Sequence, residues 1–264
     1  MVNKRKFKKM ENGEILTSEQ ITAFKRDGFL IVPGMYSAQE VAEYTAWTSE
    51  LQNRAEESGQ QMMYFEESSK EPGKRILNRI EAFTSYHDGF NEMLREGKLC
   101  QACGDLFASD AVLFKDKINF KQPGGDGFEP HQDQQAGWDR YAPHFISVMV
   151  CVDEATKENG CLEIVAGFHH TGLVGNEWAP LTEEQVSGIN FVHYPTKPGD
   201  IVFFDTYAPH RSEPNMSDKP RRLIFATYGM QSEGDHREQY YIDKRNEFPP
   251  DCERESGKEY VYRV

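Results

Sequence analysis

Phe128-Glu129-Pro130-His131-Gln132-Asp133 is the stretch on which the reading of this chain turns. In an extended strand, residues two apart share a face, so His131 and Asp133 present an imidazole and a carboxylate together. The pair alone is weak, because a chain with eight histidines shows a His-x-Asp by chance. Its surroundings strengthen it. A Gly-rich turn, Pro123-Gly124-Gly125-Asp126-Gly127, precedes the pair. Far along the chain Phe203-Phe204-Asp205 leads to His210, and the arginines Arg221 and Arg222 follow. Two imidazoles and one carboxylate form the facial donor set of non-haem Fe(II) centres, which leaves three coordination positions open. His131, Asp133 and His210 are the candidate metal ligands.

Working outward, the second half of the chain reads as strands. Residues 112–121 alternate, placing Lys115, Lys117, Asn119 and Lys121 on one face; such lysines ordinarily protect a sheet edge. Residues 145–152 are an apolar strand, and Asn159-Gly160 is a hairpin signal from which 161–165 return. Strands also fall at 190–194, 201–204 and 222–228, with Lys197-Pro198-Gly199-Asp200 as a turn. Short strands with polar turns at this spacing predict an antiparallel sandwich or barrel.

The first half is more helical. Thr17 with Gln20, and Ser37 with Glu40, are capping boxes. The first opens a helix to Asp27, followed by a strand at Phe29–Val32. The second opens a helix to about residue 57, with Val41, Tyr44, Thr48 and Leu51 on its inner face. Residues 58–74 read as a loop, 75–83 as a strand, and 88–109 as a helix interrupted at Gly97 and Gly104. Residues 1–16, basic at Lys4, Arg5, Lys6, Lys8 and Lys9, read as a flexible tail, and 17–264 as a single domain. Apolar residues late in the Tyr- and Pro-rich stretch 240–264 imply that it packs on the body.

Composition narrows the function classes. The 264 residues carry a net charge of −13, which argues against a nucleic-acid binder, since that needs a basic face. No apolar run approaches a membrane span, and no signal peptide is evident. Five cysteines read as reduced thiols in the cytoplasm. Cys100-Gln101-Ala102-Cys103 lacks both the βαβ setting of a redox motif and the second pair a zinc site wants. His87, His144, His169, His170, His193 and His236 have no ligand spacing and read as structural or surface residues.

Taken together, the motifs resemble the phytanoyl-CoA dioxygenase family of Fe(II)/2-oxoglutarate oxygenases. They are His131-Gln132-Asp133, Asn159-Gly160-Cys161-Leu162, Gly167-Phe168-His169, Pro198-Gly199-Asp200, His210-Arg211-Ser212-Glu213-Pro214-Asn215-Met216-Ser217 and Arg221. The resemblance implies a mainly β fold with flanking helices, a double-stranded β-helix or jelly-roll barrel of cupin type. It implies Fe(II), 2-oxoglutarate and O2 as the cofactor and co-substrates, with release of succinate and CO2. It makes His131, Asp133 and His210 the iron ligands and Arg221 the anchor for the distal carboxylate of 2-oxoglutarate, a role suited to a bidentate guanidinium. Ser212, Asn119 and Lys117 become further co-substrate contacts. Arg222 then points to the opposite face. The presence of Asp133 implies hydroxylation, because related halogenases lack that carboxylate.

The run from Gln134 to Tyr141 and the tail from Tyr240 to Pro250 resemble the 2-aminoethylphosphonate dioxygenase branch of the family. That implies phosphonate metabolism and a small zwitterionic substrate hydroxylated beside phosphorus. Arg79, Lys117 and Lys121 are candidates for the phosphonate, and Gln134 and Trp138 for the substrate side of the site. The alternatives are a phytanoyl-CoA-type acyl-CoA hydroxylase, a non-catalytic small-molecule-binding barrel, and a zinc or manganese enzyme of cupin type. The last has no need of Arg221 and Ser212. The expected partner is a small molecule, with no nucleic acid and no membrane, and the oligomeric state is open.

Overall fold

The computed structural model describes residues 14–68 and 70–261. The basic run at Lys4–Lys9 therefore lies outside the described residues. In chain order the elements are α1 (Ser18–Asp27), β1 (Phe29–Val32), α2 (Ala38–Gln52), β2 (Met62–Glu67), β3 (Arg75–Glu81), α3 (Asp88–Asn91), α4 (Lys98–Phe107), β4 (Ala111–Lys121), β5 (Phe128–His131), β6 (Phe145–Cys151), β7 (Leu162–Ile164), α5 (Glu183–Val186), β8 (Val192–Tyr194), β9 (Ile201–Asp205), β10 (His210–Ser212), β11 (Arg221–Met230) and α6 (Arg237–Glu247). The strands form a seven-stranded sheet, β1-β9-β6-β11-β4-β3-β2, and a four-stranded sheet, β5-β10-β7-β8. All the pairings are antiparallel. After β4 the chain crosses from one sheet to the other at every step except β7 to β8, and the two sheets form a jelly roll.

Both capping boxes close as expected. Thr17 and Gln20 exchange side-chain-to-backbone bonds at the start of α1, and Ser37 and Glu40 do so at the start of α2. Gly28 ends α1 at φ 79°, a left-handed conformation that glycine adopts without steric cost. Its NH reaches back to the Phe24 carbonyl at 2.8 Å.

The large sheet is covered on one face by helices, and strand alternation sorts its residues accordingly. Ile118 and Phe120 of β4, Val148 and Val150 of β6, and Ile224, Ala226 and Tyr228 of β11 pack with Phe24, Tyr44, Leu51, Leu94 and Leu99 from the helical layer. Met149, Cys151, Val202, Phe204 and Leu223 form a second cluster with Leu162 and Ile164 of the small sheet, inside the barrel. Because one face of each strand meets the helices, Lys115, Lys117, Asn119 and Lys121 of β4 and Arg221 of β11 turn to the barrel interior, while Asp116 and Arg222 lie on the helical side. Strand β4 lies between β11 and β3, so its lysines do not guard an edge. Lys115, Asn119 and Lys121 are buried.

Several sequence expectations change. The 58–74 loop contains β2, where Met62, Met63 and Tyr64 are buried and paired with β3. Helix α2 stops at Gln52, and Gly104 lies within α4, which ends instead at Ala108 with φ 55°. Asn159-Gly160 turns the chain from one sheet to the other rather than making a hairpin, since β7 pairs with β10 and β8. Of the expected tail, Leu16 is buried, and the NH groups of Ile15 and Leu16 donate to Asp105. The 240–264 stretch begins inside α6, whereas Val261 is exposed.

Helix α6 docks through the aromatic rings of Tyr240 and Tyr241 and through a polar cluster at its start. Arg237, buried at its start, pairs with the fully buried Asp116 carboxylate of β4. Asp116 also accepts the Phe83 and Thr84 NH groups at 2.8 and 3.2 Å and a bond from the Tyr241 hydroxyl. Removing one partner of a buried ion pair costs about 3–5 kcal/mol. Asp116→Ala should lose stability of that order in urea unfolding, with early loss of amide protection in α6. An unchanged midpoint would show that Asp116 does not hold this helix.

Candidate active site in the barrel interior

Strands β5 and β10 pair so that His131 and His210 are cross-strand partners, with ring centroids 4.3 Å apart. Asp133 reaches the same point by a different route from the one expected. Strand β5 ends at His131; Gln132 stays extended at φ −112°, ψ 131°, and Asp133 opens a short 3-10 turn, Asp133–Ala136. One extended residue between them suffices to keep both side chains on one side. The Asp133 Oδ1 lies 3.8 Å from His131 Nε2 and 3.9 Å from His210 Nε2. One donor atom from each of the three lies within 4.8 Å of the others.

The remaining contacts prepare these atoms to receive a cation. His131 Nδ1 contacts the Glu129 carbonyl at 2.7 Å, and His210 Nδ1 the Ala208 carbonyl at 3.0 Å. A carbonyl only accepts, so each Nδ1 carries the proton and each Nε2 offers its lone pair, the tautomer that metal-binding histidines use. Burial, with His210 alongside, pushes the His131 imidazole down to about 3, and burial lowers His210 as well. Both are neutral near pH 7. Burial opposes ionisation of Asp133, yet His210, Lys117, His131 and a 2.5 Å bond from the Ser147 hydroxyl hold its carboxyl below the ordinary range. Two neutral imidazoles and an ionised carboxylate, converging from one side, suit a divalent metal such as Fe(II).

Two cavities meet at this point, and both are lined by His131, Asp133, Lys117 and Phe128. The narrower one continues between the sheets and is lined also by Asn119, His210, Ser212 and Arg221. Arg221 is 2% exposed. Its Nη1 donates to the Gly160 carbonyl, while its Nε is buried without a hydrogen-bond partner. Arg222 faces the other way, binding Asp153 through Nε and Nη2 at 2.8 Å each and Ser49 through Nη1. Lys121, expected on the substrate side, instead lies opposite Arg221 in the strand register. Its ammonium donates to Ser212 Oγ at 2.7 Å and to the Glu213 carbonyl. Period two gives the face a residue occupies but not its depth along the barrel, which is why the sequence misplaces it. Burial and the neighbouring Arg221 push Lys121 down to about 6, and burial pushes even Arg221 down to about 10. Two buried cations side by side mark a place for an anion. The Asn119 Oδ1, also buried without a partner, lies along the same cavity.

The second cavity, about 400 Å³, opens toward solvent. Arg79, Lys115, Lys117 and Arg254 line it, with Tyr64, Phe65, Trp138, Trp178 and Phe248 as aromatic walls and Glu66 and Glu129 as acids. Glu81, fully buried behind it, lies 2.8 Å from Arg79 Nε. Burial raises its pKa, but Lys115, Lys244, Arg79 and Lys117 hold it down to about 2. Trp138 is at this cavity as expected. Gln134 is not; it is buried against Thr206, whose hydroxyl donates to its Oε1 at 2.9 Å. Tyr64 and Trp178 lie in stretches that carry no periodic signal, so the sequence does not point to them, whereas Phe248 falls in the tail singled out by the resemblance.

The other histidines are apart from this site. His87 caps α3 and packs on Trp47, and His169 and His170 contact the Lys25 carbonyl. Burial pushes the Cys100 thiol up to about 11 and that of Cys103 further still, which leaves the Cys-x-x-Cys pair unreactive on α4.

A phytanoyl-CoA dioxygenase (PhyH) family model matches residues 24–223. The chain is 40% identical to a 2-aminoethylphosphonate dioxygenase of an uncultured bacterium, HF130_AEPn_1, over 92% of this chain and 93% of that protein. It is 34% identical to a methylphosphonate hydroxylase of Gimesia maris, over 88% of each. Among solved structures, iron-bound EctD from S. alaskensis shares the fold with a TM-score of 0.69 at 22% identity, covering 85% of this chain and 80% of that one.

Ser147 offers a direct test of the metal-site geometry. Loss of an outer hydrogen bond to a ligating carboxylate typically weakens metal binding about 10–100-fold. Ser147→Ala should show that weakening in an anaerobic Fe(II) titration, with the fold intact by circular dichroism. Undiminished affinity would show that the bond to Asp133 does not orient it for metal.

Proposed function

Because the chain belongs to the phytanoyl-CoA dioxygenase family, and is an Fe(II)- and 2-oxoglutarate-dependent dioxygenase, we propose that it hydroxylates a small zwitterionic phosphonate. The leading substrate is 2-aminoethylphosphonate, attacked at the carbon bonded to phosphorus. The observation that carries this reading is the cation cluster in the larger cavity. Arg79, Lys115 and Lys117 gather around one buried acid, Glu81, beside His131 and Asp133. These cations offer donors to the oxygens of a phosphonate, and a guanidinium matches their geometry. Glu66 with the aromatic walls provides for the ammonium end. The cavity volume is in the range of small-molecule sites. An acyl chain would find charged groups where it needs an apolar wall. Two relatives named for phosphonates, at 40% and 34% identity, support the same class.

In this reading His131, Asp133 and His210 hold the iron, and the bound iron with 2-oxoglutarate and O2 supplies the chemistry that converts a C–H to C–OH with release of succinate and CO2. The protein supplies position and exclusion of water. Arg221, Lys121 and Ser212 hold the distal carboxylate of 2-oxoglutarate at the far end of the narrow cavity, with Asn119 and Lys117 along its length. Arg79 and Lys115 hold the phosphonate so that the adjacent carbon faces the metal site.

Succinate release in the presence of Fe(II), 2-oxoglutarate and oxygen tests the substrate. 2-Aminoethylphosphonate should stimulate it, with a hydroxylated phosphonate as product by phosphorus NMR. Stimulation by a branched acyl-CoA alone would overturn the reading.

The co-substrate anchor has two further expected outcomes. Losing a buried partner of a carboxylate costs about 2–5 kcal/mol, so Arg221→Ala should raise the KM for 2-oxoglutarate by at least an order of magnitude. Arg222→Ala should lose stability and leave that KM unchanged; the reverse pattern contradicts the assignment. Lys121, with its pKa lowered to about 6 by burial and Arg221, is mostly neutral at about pH 8 and becomes charged when a carboxylate arrives. Binding of 2-oxoglutarate should therefore take up a proton, visible by calorimetry in buffers of different ionisation enthalpy. Lys121→Met should abolish the uptake, and its persistence would remove Lys121 from the anchor.

A further inference from the structure

The turn that carries Asp133 also grips a distant segment, residues 172–182. Gln132 Nε2 donates to the Gly172 carbonyl at 2.8 Å, and Gln132 Oε1 accepts the Val174 NH at 2.7 Å. Gln135 Nε2 donates to the carbonyls of Asn176 and Ala179, both at 2.7 Å. The backbone joins in, with Trp178 NH on the Gln135 carbonyl at 2.8 Å and Leu181 NH on the Pro130 carbonyl at 2.7 Å. Both glutamines are fully buried, and they flank Asp133 in sequence. Gln135 Oε1 also accepts the Gln132 NH at 2.8 Å, locking the two together.

What this grip holds is the side of the larger cavity formed by Trp178 and Pro180. Trp178 sits at φ 66°, a left-handed conformation that is uncommon for a residue with a bulky side chain and that persists only where its surroundings impose it. Its ring lies flush on Gly137, where a Cβ would come within 2.2 Å of the indole. The tryptophan is thus held in an unfavourable backbone state, against a glycine, with its ring at the mouth of the cavity.

We propose that residues 172–182 are the substrate-side wall of the active site, and that Gln132 and Gln135 are positioning residues that make this wall one body with the turn bearing Asp133. Metal ligand and substrate wall then keep a fixed separation, as a site held by supporting hydrogen bonds requires. Trp178, whose ring already has the Arg140 guanidinium 5.9 Å from its centroid, closes that side of the cavity and keeps water from the reacting carbon. The identity of the substrate rests on the phosphonate reading above; the attachment of the wall does not.

Two measurements test this on the full-length protein. Hydrogen exchange of residues 172–182 reads the attachment without any turnover. Gln135→Leu removes both side-chain donors and should speed exchange there while exchange in β6 and β11 stays as in the wild type; unchanged exchange overturns the positioning role. Trp178→Gly keeps the backbone conformation without strain and removes the ring, so it folds even if Gln135→Leu does not. It should raise the KM for 2-aminoethylphosphonate about tenfold, as loss of a large aromatic wall contact implies. The KM for 2-oxoglutarate should stay within about twofold, and more succinate should form per hydroxylated product, because a lost wall admits water. An unchanged substrate KM together with unchanged coupling overturns the wall. If no phosphonate stimulates the wild type, the substrate reading fails, and the exchange result alone upholds or overturns the attachment.

Discussion

Charge buried without equal opposite charge is the constraint on which this barrel depends. The helical layer demands apolar residues on the outer face of β4, β6 and β11, and Ile118, Phe120, Val148, Val150, Ile224 and Ala226 meet that demand. Alternation then commits the other face to the interior, where β4 delivers Lys115, Lys117 and Lys121, β3 delivers Arg79, and β11 delivers Arg221. Glu81 and Asp133 offset part of this charge. An uncompensated buried cation is costly, and the response is visible where it is greatest. Lys121 is pushed down to about 6 and Arg221 to about 10. An anionic ligand bound beside them would relieve that cost.

The cations are not spread evenly. Arg221 and Lys121 lie at the end of the narrow cavity, and Arg79 and Lys115 along the wide one, with His131 and Asp133 lining both. This division suits a reaction with two anionic partners, a dicarboxylate on one side of the metal site and the substrate on the other. Lys117, shared by both cavities, also helps keep Asp133 ionised. The outer network has a matching logic. Ser147 fixes Asp133, backbone carbonyls fix both histidine tautomers, and Gln132 and Gln135 join the metal turn to the opposite wall.

Much of this was legible in the chain, and the failures have physical causes. The capping boxes at Thr17 and Ser37 and the apolar strand at β6 follow from local rules that tertiary structure did not override, whereas the choice of Arg221 over Arg222 came from the family resemblance, alternation alone saying only that one of the two faces inward. Strand β2 was hidden because Met62, Met63 and Tyr64 are all buried, so the stretch lacks alternation and is masked by the Ser, Gly and charged residues around it. Helix α6 was hidden because a buried ion pair, Arg237 with Asp116, and two adjacent tyrosines, Tyr240 and Tyr241, dock it rather than a stripe of helical period. Asp133 was placed on the correct side for an incomplete reason, since the strand stops before it. Trp178 could not be foreseen, because its position depends on hydrogen bonds from glutamines that precede it by more than forty residues.

The division of the barrel into two anion chambers around one metal site is most directly tested by an anaerobic crystal structure with Fe(II), 2-oxoglutarate and 2-aminoethylphosphonate bound together. The account predicts the metal on His131, Asp133 and His210, the distal carboxylate of 2-oxoglutarate against Arg221 and Lys121, and the phosphonate against Arg79 and Lys115. A phosphonate found at Arg221, or a metal away from His210, would contradict it.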